Sequence, residues 1–217
     1  MSTQLPDQIN HESLAVGVSY LSGIDPDMER IVDQLGLPPL WSREPGFSTL
    51  VHIILEQQVS LASAKAAFNK LNSEISDDLT PKKFLRFSDI ELKEFGFSRQ
   101  KTTYCRELSK AIINGSLKLN KLHSLDNRSV RSELTSIKGI GDWTATIYLL
   151  MAMKRPDVWP SGDLALKKAI QKTKNLPESP DTEQCGKIAL QWRPWRAVAA
   201  RILWHSYLNP PAGESDR

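Results

Sequence analysis

The sequence has few of the features that mark secreted, membrane-spanning and metal-dependent proteins. Its 217 residues include only two cysteines, Cys105 and Cys185, and these form no CxxC pair. That count excludes a disulfide framework and argues against zinc and iron–sulfur sites. The apolar run Ile147–Met153 ends at Lys154, well short of the roughly 18 to 20 residues that a membrane span needs. The N-terminus lacks a basic head followed by an apolar stretch, so we expect no signal peptide and a cytosolic protein.

Charge is distributed unevenly along the chain. The net charge is +3, from 28 basic and 25 acidic residues. Residues 1–49 contain two basic and seven acidic side chains, a net charge of −5, so residues 50–217 carry +8. A basic region favours a polyanionic partner, because clustered cations release counterions from phosphates. A mixed, solvated surface is the alternative, and the charge is compatible with both.

Helical periodicity dominates the sequence, and alternating strand patterns are scarce. We therefore predict an all-α protein with short connections rich in Gly, Pro and Asp. The terminal segments, residues 1–12 and 210–217, are polar or proline-rich and are expected to be mobile. The predicted helices cover Phe47–Lys70 around Gln57 and Gln58, Ile90–Phe97, Lys101–Ile113, Ser129–Ile137, Trp143–Met153, Leu164–Lys172, Thr182–Leu190 and Arg196–Leu208.

A short turn with two glycines separates two of these helices. One helical pattern ends at Ile137 and the next begins near Asp142, so only Lys138–Gly141 (KGIG), the glycine turn, connects them. Glycine permits backbone conformations that a side chain forbids, and Ile140 is expected to fill the space between the helices. The amides of the turn and of the next helix would point outward, an arrangement that binds phosphate. A plain helix–helix turn with a glycine cap is the alternative.

An aspartate framed by a proline and a glycine begins the next predicted helix. Asp163 follows Pro160 and Gly162 and precedes apolar residues with helical spacing. Its carboxylate is expected to cap this helix by accepting a hydrogen bond from a first-turn amide. On the local pattern alone, a structural cap is the simpler interpretation.

Several separated segments give the chain a resemblance to a known family. Leu134–Ala145 (LTSIKGIGDWTA), followed by the framed Asp163, resembles the helix–hairpin–helix base-excision DNA glycosylases, and most closely their AlkA-type 3-methyladenine DNA glycosylase II branch. The resemblance covers residues 44–208, and the chain is expected to be a short form without that branch's N-terminal β domain. Three further segments carry it: Ile54–Ser60 (ILEQQVS), Phe95–Lys101 (FGFSRQK), and Gln191–Arg196 (QWRPWR) continuing to Trp204.

The resemblance implies two packed helical subdomains with the active site in the cleft between them. Residues 50–152 are expected to form a central bundle that contains the helix–hairpin–helix motif. Residues 1–49 and 153–217 are expected to form a second helical cluster. The implied protein is a monomeric enzyme that acts on double-stranded DNA containing damaged bases, with no membrane partner. The lack of a basic import cluster favours a bacterial cytoplasm, at the nucleoid, and a eukaryotic member would act in the nucleus.

The resemblance assigns a phosphate contact to the glycine turn. The amides of Gly139, Gly141 and Thr144 would bind a phosphate beside the lesion, and Lys138 would add positive charge nearby. A bare turn with two glycines would not by itself indicate DNA, so this expectation depends on the flanking segment.

Two further DNA-facing features are implied by the family. Carbonyl groups near Thr135 and Ile137 would hold a monovalent cation at the hairpin. Gln58 lies where the family's prototype inserts a leucine wedge into the base stack, with Gln57 and Ser60 beside it. The alternative is two polar residues at a helix kink.

The resemblance also implies the chemistry. Asp163 would face the sugar of the flipped nucleotide and stabilise the positive charge that develops as the N-glycosidic bond breaks. No metal or other cofactor is expected to take part. Members that also cut the strand carry a lysine nucleophile two residues after the second glycine. This chain has Trp143 there, and an indole cannot attack the sugar, so the predicted enzyme is monofunctional and leaves an abasic site.

The expected base pocket contains fewer aromatic residues than that of the prototype. Trp143 and Trp204 match aromatic pocket positions and would stack on a positively charged alkylated purine. Ile147 and Leu164 stand where the prototype has tyrosines, so the substrate range could differ. The alternatives are core packing for each tryptophan, a glycosylase for uncharged deaminated or oxidised bases, and a non-catalytic helix–hairpin–helix DNA-binding protein.

Other conspicuous residues are expected to be structural. His52 and Glu56 share a helix face but have no third metal ligand nearby. His205 is expected to be a half-buried structural residue beside Trp204. Structural packing or ordinary surface positions are also expected for Lys101, Tyr104, Arg106, Trp41, Trp159, Trp192 and Trp195.

Overall fold

The computed structural model describes residues 5–210 of the chain. Within that range it has twelve α-helices and no β-strand, so the all-α prediction is confirmed. No helix among these residues is long and apolar enough to cross a membrane. The helices are α1 (His11–Ile24), α2 (Pro26–Leu35), α3 (Phe47–Glu56), α4 (Leu61–Ser73), α5 (Pro81–Phe84), α6 (Asp89–Glu94), α7 (Arg99–Ile113), α8 (Asn127–Thr135), α9 (Asp142–Ile147), α10 (Leu164–Thr173), α11 (Thr182–Ala189) and α12 (Arg196–Leu208).

Side-chain caps fix where many of these helices begin. Before α1, Asn10 accepts a hydrogen bond from the amide of Ser13 at 2.8 Å, and the Ser13 hydroxyl accepts one from the Asn10 amide at 2.9 Å. The same reciprocal pair of bonds precedes α6 and α11, and it satisfies donors that a helix end otherwise leaves unpaired. Pro26 and Pro81 stand at the start of α2 and α5, where a missing amide proton does no harm.

The prediction that residues 1–12 form a mobile tail is wrong for the residues next to α1. Ile9 is fully buried, and its amide donates to the carbonyl of Lys154 at 2.7 Å. Asn10 forms the cap just described, and α1 begins at His11. The polar composition of the segment concealed a helix cap. Residues 1–4, and the predicted C-terminal tail beyond Pro210, lie outside the described residues.

The contacts divide the chain into two compact units. One, the N/C unit, comprises Met1–Ser42 together with Lys154–Arg217, and the other, the central unit, comprises Arg43–Met153. The expected boundary after residue 49 would fall inside α3, and the chain instead passes between units before that helix begins.

In the central unit, α3 is the innermost helix. Its buried residues Phe47, Leu50, Val51, Ile53, Ile54 and Leu55 lie on more than one face, as is typical of a helix surrounded by others. Helices α4, α7 and α9 pack against it. Ile140, in the turn between α8 and α9, is only 3% exposed, which agrees with the expectation that it fills the space between them.

In the N/C unit, α12 is the corresponding central helix. It is buried continuously from Ala197 to Trp204 and packs against α1, α2 and α10. Gly17 permits the close approach of α1, because a Cβ there would lie 2.7 Å from the Trp195 ring. The fully buried Trp192 donates its indole proton to Asp25 at 2.8 Å, and Lys174 pairs with the same carboxylate at 2.7 Å.

Candidate functional site

The glycine turn has the local geometry that the sequence suggested. Gly139 has φ +94°, in the left-handed region that favours glycine, and the Ile140 amide donates to the Ile137 carbonyl at 3.0 Å. Gly141 is the N-cap of α9, and no side chain forms a cap hydrogen bond there. The first amides of a helix have no partner within the helix and carry partial positive charge. This end of α9 is therefore suited to an anion.

The aromatic ring of Tyr104 packs against the glycine turn. Tyr104 of α7 lies so close to Gly139 that a Cβ at that position would overlap the ring. The Tyr104 hydroxyl accepts a hydrogen bond from Gln100 at 2.6 Å, which helps to fix the ring. Of the two expectations for Tyr104, structural packing and ordinary surface, the contact agrees with packing. No local pattern indicated this contact, because α7 and the turn are distant in sequence.

Gln57 connects the end of α3 to the glycine turn. Its amide nitrogen donates to the Gly139 carbonyl and to the Thr144 hydroxyl, each at 2.9 Å. Thr144 is buried. The Gln57 side chain thus points towards the protein interior and holds the turn in place. Gln57, one of the residues expected to contact DNA, therefore bonds within the protein, and so does the Thr144 hydroxyl.

The residues that follow Gln57, unlike Gln57 itself, are exposed to solvent. Gln58 is exposed and adopts φ +56°, a conformation that non-glycine residues seldom adopt. Ser60 is exposed and caps α4 by accepting a hydrogen bond from the Ser63 amide at 3.2 Å. The predicted continuous helix Phe47–Lys70 is therefore interrupted between α3 and α4, and the interruption presents Gln58 to solvent.

Lys101 fixes the end of α3 from another direction. Its ammonium group donates to the Leu55 carbonyl at 2.5 Å, and burial lowers the pKa of Lys101. Cations favour helix C-termini, where carbonyl groups lack partners. The expectation of an ordinary surface lysine is wrong. Its place at the end of Phe95–Lys101, one of the segments that carry the family resemblance, was the available signal.

Charges near the start of α9 are balanced within the protein. Asp142, in the first turn, would repel a phosphate, but Arg131 of α8 pairs with both of its carboxylate oxygens at 2.7 and 2.9 Å. Lys138 is exposed and Trp143 is half-buried. Ile147, one turn further on, is only 2% exposed, so it presents almost no surface to a base.

In the N/C unit, Asp163 is held by two donors. Its Oδ1 atom accepts hydrogen bonds from the Leu166 amide at 2.9 Å and from the indole nitrogen of Trp204 at 3.2 Å. The first bond is the expected helix cap. The second brings together two of the residues that the resemblance assigned to catalysis and base binding. Leu164, next in the chain, is 71% exposed, whereas Trp204 is only 8% exposed.

Three of the four tryptophans expected to be structural are buried in the N/C unit. Trp159, Trp192 and Trp195 all belong to its core. Trp41 differs, because it is half-buried and packs edge-to-face with Trp204, with ring centroids 6.4 Å apart and planes at 76°. It makes a similar contact with His205 at 6.4 Å and 80°.

His52 and Glu56, which were expected to be structural, form contacts within the protein. Glu56 accepts two hydrogen bonds from Arg43, at 2.6 and 3.0 Å, and His52 stacks on Phe68 with ring centroids 4.2 Å apart. No cluster of three or more potential metal-binding side chains occurs within residues 5–210. Burial raises the pKa of the Cys105 and Cys185 thiols, which makes both poor nucleophiles.

The uncapped helix start behind the glycine turn is suited to an anion such as a phosphate, and the Asp163 carboxylate is fixed at the start of another helix. A family model described as "HhH-GPD superfamily base excision DNA repair protein" matches residues 51–194. The chain belongs to this superfamily.

Individual relatives agree with that assignment. "DNA-3-methyladenine glycosylase 1" of Schizosaccharomyces pombe is 29% identical over 199 residues, covering 88% of this chain and 87% of the relative. "Alkylbase DNA glycosidase-like protein mag2" of the same yeast is 28% identical over 193 residues, covering 85% and 90%. The solved structure of S. pombe 3-methyladenine DNA glycosylase (Mag1) in complex with abasic DNA superposes with a TM-score of 0.85 at 27% identity, covering 93% of this chain and all of that one.

Proposed function

We propose that the protein is a monofunctional DNA glycosylase of base excision repair, which removes alkylated purines of the 3-methyladenine and 7-methylguanine type from double-stranded DNA. The observation that carries the proposal is the Asp163 carboxylate, held by Leu166 and Trp204 in a chain of the HhH-GPD superfamily. The relatives named for 3-methyladenine support the substrate class.

The glycine turn would hold the strand while the damaged nucleotide is rotated out of the duplex. A phosphate at the start of α9 would accept hydrogen bonds from amides of Gly139, Gly141 and Thr144, with Lys138 adding charge. This contact involves no base edge, so it suits an enzyme that must scan any sequence. A monovalent cation bound to the carbonyls of Thr135 and Ile137 would add to the same phosphate contact.

Gln58 would occupy the space that the rotated nucleotide leaves. It is exposed in a left-handed conformation, with the exposed apolar residues Val59 and Leu61 beside it. The glutamine amide can hydrogen-bond the base left without a partner, and the apolar neighbours can contact the stack. Rotation of the nucleotide costs a few kcal/mol, which these contacts would offset.

Asp163 would act on the sugar. The bond between C1′ and the base nitrogen breaks, and its electron pair leaves with the base, whose positive charge is thereby neutralised. Positive charge develops at C1′, and a nearby carboxylate stabilises it more in the transition state than in the ground state. Water then adds to C1′ and loses a proton, which Asp163 can accept. The products are a free base and an abasic site.

The strand is expected to stay intact. Cleavage by the bifunctional members needs an amine that forms a Schiff base with the sugar, and Trp143 occupies the corresponding position in this chain. Borohydride treatment during the reaction should therefore trap no covalent protein–DNA complex. A trapped complex would contradict the assignment.

The resemblance assigns contacts with the extruded base to Trp143 and Trp204, with Leu164 at the edge. Because Trp204 is only 8% exposed, its share of the contact would be small. The second candidate function, release of uncharged deaminated or oxidised bases, is favoured by the exposed aliphatic side chain of Leu164, because it has no π-system with which to attract a cation. Incubation with methylated genomic DNA, followed by chromatography of the released bases, tests the proposal. Release of 3-methyladenine or 7-methylguanine supports it, and binding of DNA without release of any base would indicate a non-catalytic protein. The enzyme would act wherever the chromosome lies, in a bacterial cytoplasm or a nucleus.

A further inference from the structure

We infer that Trp41 is a specificity-determining residue, which supplies the aromatic surface that binds the positively charged base beside Asp163. This inference rests on the proposed function. The sequence indicated only a structural role for Trp41, and the resemblance assigned the aromatic contact in this part of the chain to Trp204.

The first observation concerns the exposure of the two tryptophans. Trp204 is 8% exposed, so little of its indole remains for a ligand to contact. Trp41 packs against it and is half-buried. Of the two tryptophans, Trp41 therefore keeps more of its surface accessible to a ligand.

The second observation is a series of contacts that joins Trp41 to the proposed catalytic carboxylate. Trp41 contacts the Trp204 ring at a centroid distance of 6.4 Å. The indole nitrogen of Trp204 donates to Asp163 Oδ1 at 3.2 Å. A base whose sugar faces Asp163 would thus lie close to these two rings.

The third observation is that the backbone at Trp41 is held in an unfavourable conformation. Its φ is +44°, which is rare for a bulky side chain and persists only where the surroundings impose it. The guanidinium of the fully buried Arg201 donates to the carbonyl of Leu40, the preceding residue, at 2.8 Å. Burial lowers the pKa of Arg201 to about 10. A buried arginine bonded to this carbonyl helps to fix the direction in which Trp41 leaves the chain.

The fourth observation is the composition around Asp163. Leu164 is exposed but aliphatic, and an aliphatic side chain has no π-system with which to attract a cation. An alkylated purine carries a positive charge, and an indole attracts cations more strongly than other side-chain rings do. Trp41 would supply the aromatic contact that Leu164 does not provide.

Single-turnover release of 7-methylguanine from a defined duplex, at saturating enzyme, tests the inference with W41F and W41L. We expect W41F to retain the wild-type rate constant within about threefold, and W41L to lose about tenfold, because leucine keeps apolar bulk but has no π face. The rate constant at saturation does not depend on the fraction of folded enzyme, so partial unfolding of a variant does not imitate the effect. On a duplex containing hypoxanthine, which is neutral, W41L should lower any release by less than about threefold.

A matched control removes a different tryptophan of the same unit. Trp195 is buried against α1, so W195L should reduce the amount of active enzyme while leaving the rate constant for 7-methylguanine within about threefold of wild type. The inference about Trp41 is overturned alone if wild-type enzyme releases 7-methylguanine and W41L matches it, or if W41F falls as far as W41L. Absence of release by the wild-type enzyme overturns the proposed function, and the inference with it.

Discussion

The two units of the molecule present their candidate functional groups in opposite ways. In the central unit, the proposed phosphate site consists of backbone amides, and side chains such as Gln57 and Tyr104 hold that backbone in place. In the N/C unit, the proposed functional groups are the side chains of Asp163, Trp204 and Trp41, and contacts with α10 and α12 hold them in place.

This difference determines which positions tolerate substitution. A site made of backbone amides is lost when the chain path changes, so its sensitive positions are a glycine and the residues that touch it. A site made of side chains is lost when a single functional group is replaced, even if the fold is unchanged. The predictions below separate these two kinds of sensitivity, beginning with the largest expected effect.

Asp163→Asn should give the largest loss of activity, because it removes the negative charge that the proposed reaction needs. The substitution should leave the structure unchanged. Asparagine caps helices as well as aspartate does, and its side-chain oxygen can still accept from Leu166 and Trp204. We expect the single-turnover rate of base release to fall by at least about 10²–10³-fold, the scale of one preorganised electrostatic group, with thermal unfolding unchanged.

Asp181→Asn provides the matched control for that variant. Asp181 caps α11 through the Gln184 amide at 2.8 Å, so the same substitution at the start of a different helix should leave base release unaffected. Near-normal release by Asp163→Asn would show that Asp163 is only a cap.

Gly139→Ala should be the most damaging small substitution in the central unit. Alanine at φ +94° is strained, and its Cβ would overlap the Tyr104 ring, so we expect a loss of about 2–4 kcal/mol in unfolding free energy. DNA affinity should fall at least about tenfold, since the phosphate contacts depend on the path of the turn. Thermal unfolding and binding to an abasic duplex measure the two effects.

Gly115→Ala isolates the part of this effect that comes from backbone conformation alone. Gly115 also has a positive φ, +79°, but nothing lies within 4 Å of the Cβ that alanine would add. The loss of unfolding free energy in Gly115→Ala should be smaller, about 1–2 kcal/mol, and DNA affinity should be unchanged. Equal losses for the two variants would show that the Tyr104 contact contributes nothing.

Features encoded within a few neighbouring residues were predictable from the sequence. The pattern beginning at Leu164 and the one spanning Arg196–Leu208 match α10 and α12 closely, and the glycine turn and the Asp163 cap were both expected. Each depends on local periodicity, on a helix-breaking residue or on a capping side chain. Such signals survive in a single sequence because the interacting groups lie within one helical turn.

The contacts that hold the site in place were not predictable in the same way. The contacts of Tyr104 with Gly139, of Lys101 with Leu55 and of Arg201 with Leu40 each join distant parts of the chain. Whether a polar side chain on a helix surface meets a neighbouring helix depends on how the helices pack. No pattern within one helix specifies that packing, so the sequence did not predict these contacts.

Gln57→Glu tests the internal connection to the glycine turn. The substitution replaces the donor to Gly139 and Thr144 with a carboxylate that faces the Gly139 carbonyl, which should cost about 1–3 kcal/mol. Gln58→Glu adds the same charge one residue later, at an exposed position, and should change stability by less than about 0.5 kcal/mol. Thermal unfolding without DNA compares them, and equal stability of the two variants would exclude a structural role for the Gln57 bonds.

The smallest expected effect concerns the pH dependence of the N/C unit. Burial would raise the pKa of Asp25, but hydrogen bonds from Lys174 and Trp192 outweigh it, so the pKa lies below the ordinary value of 3.8. A lowered pKa means that the native state holds the charged form more strongly than the unfolded chain does. The stability that Asp25 contributes is therefore complete above about pH 3.8 and is lost as the pH falls through the lowered pKa.

Asp25→Asn should accordingly be less stable than wild type at neutral pH, by about 1–2 kcal/mol, with the difference narrowing below pH 3.8. Asp77→Asn is the control, because Asp77 is exposed and pairs with Lys83 only at 3.3 Å, so its stability should follow wild type throughout. Unfolding temperatures measured between pH 7 and pH 3 compare the three proteins. A constant difference between wild type and Asp25→Asn across that range would mean that the Asp25 contacts contribute through packing and not through charge.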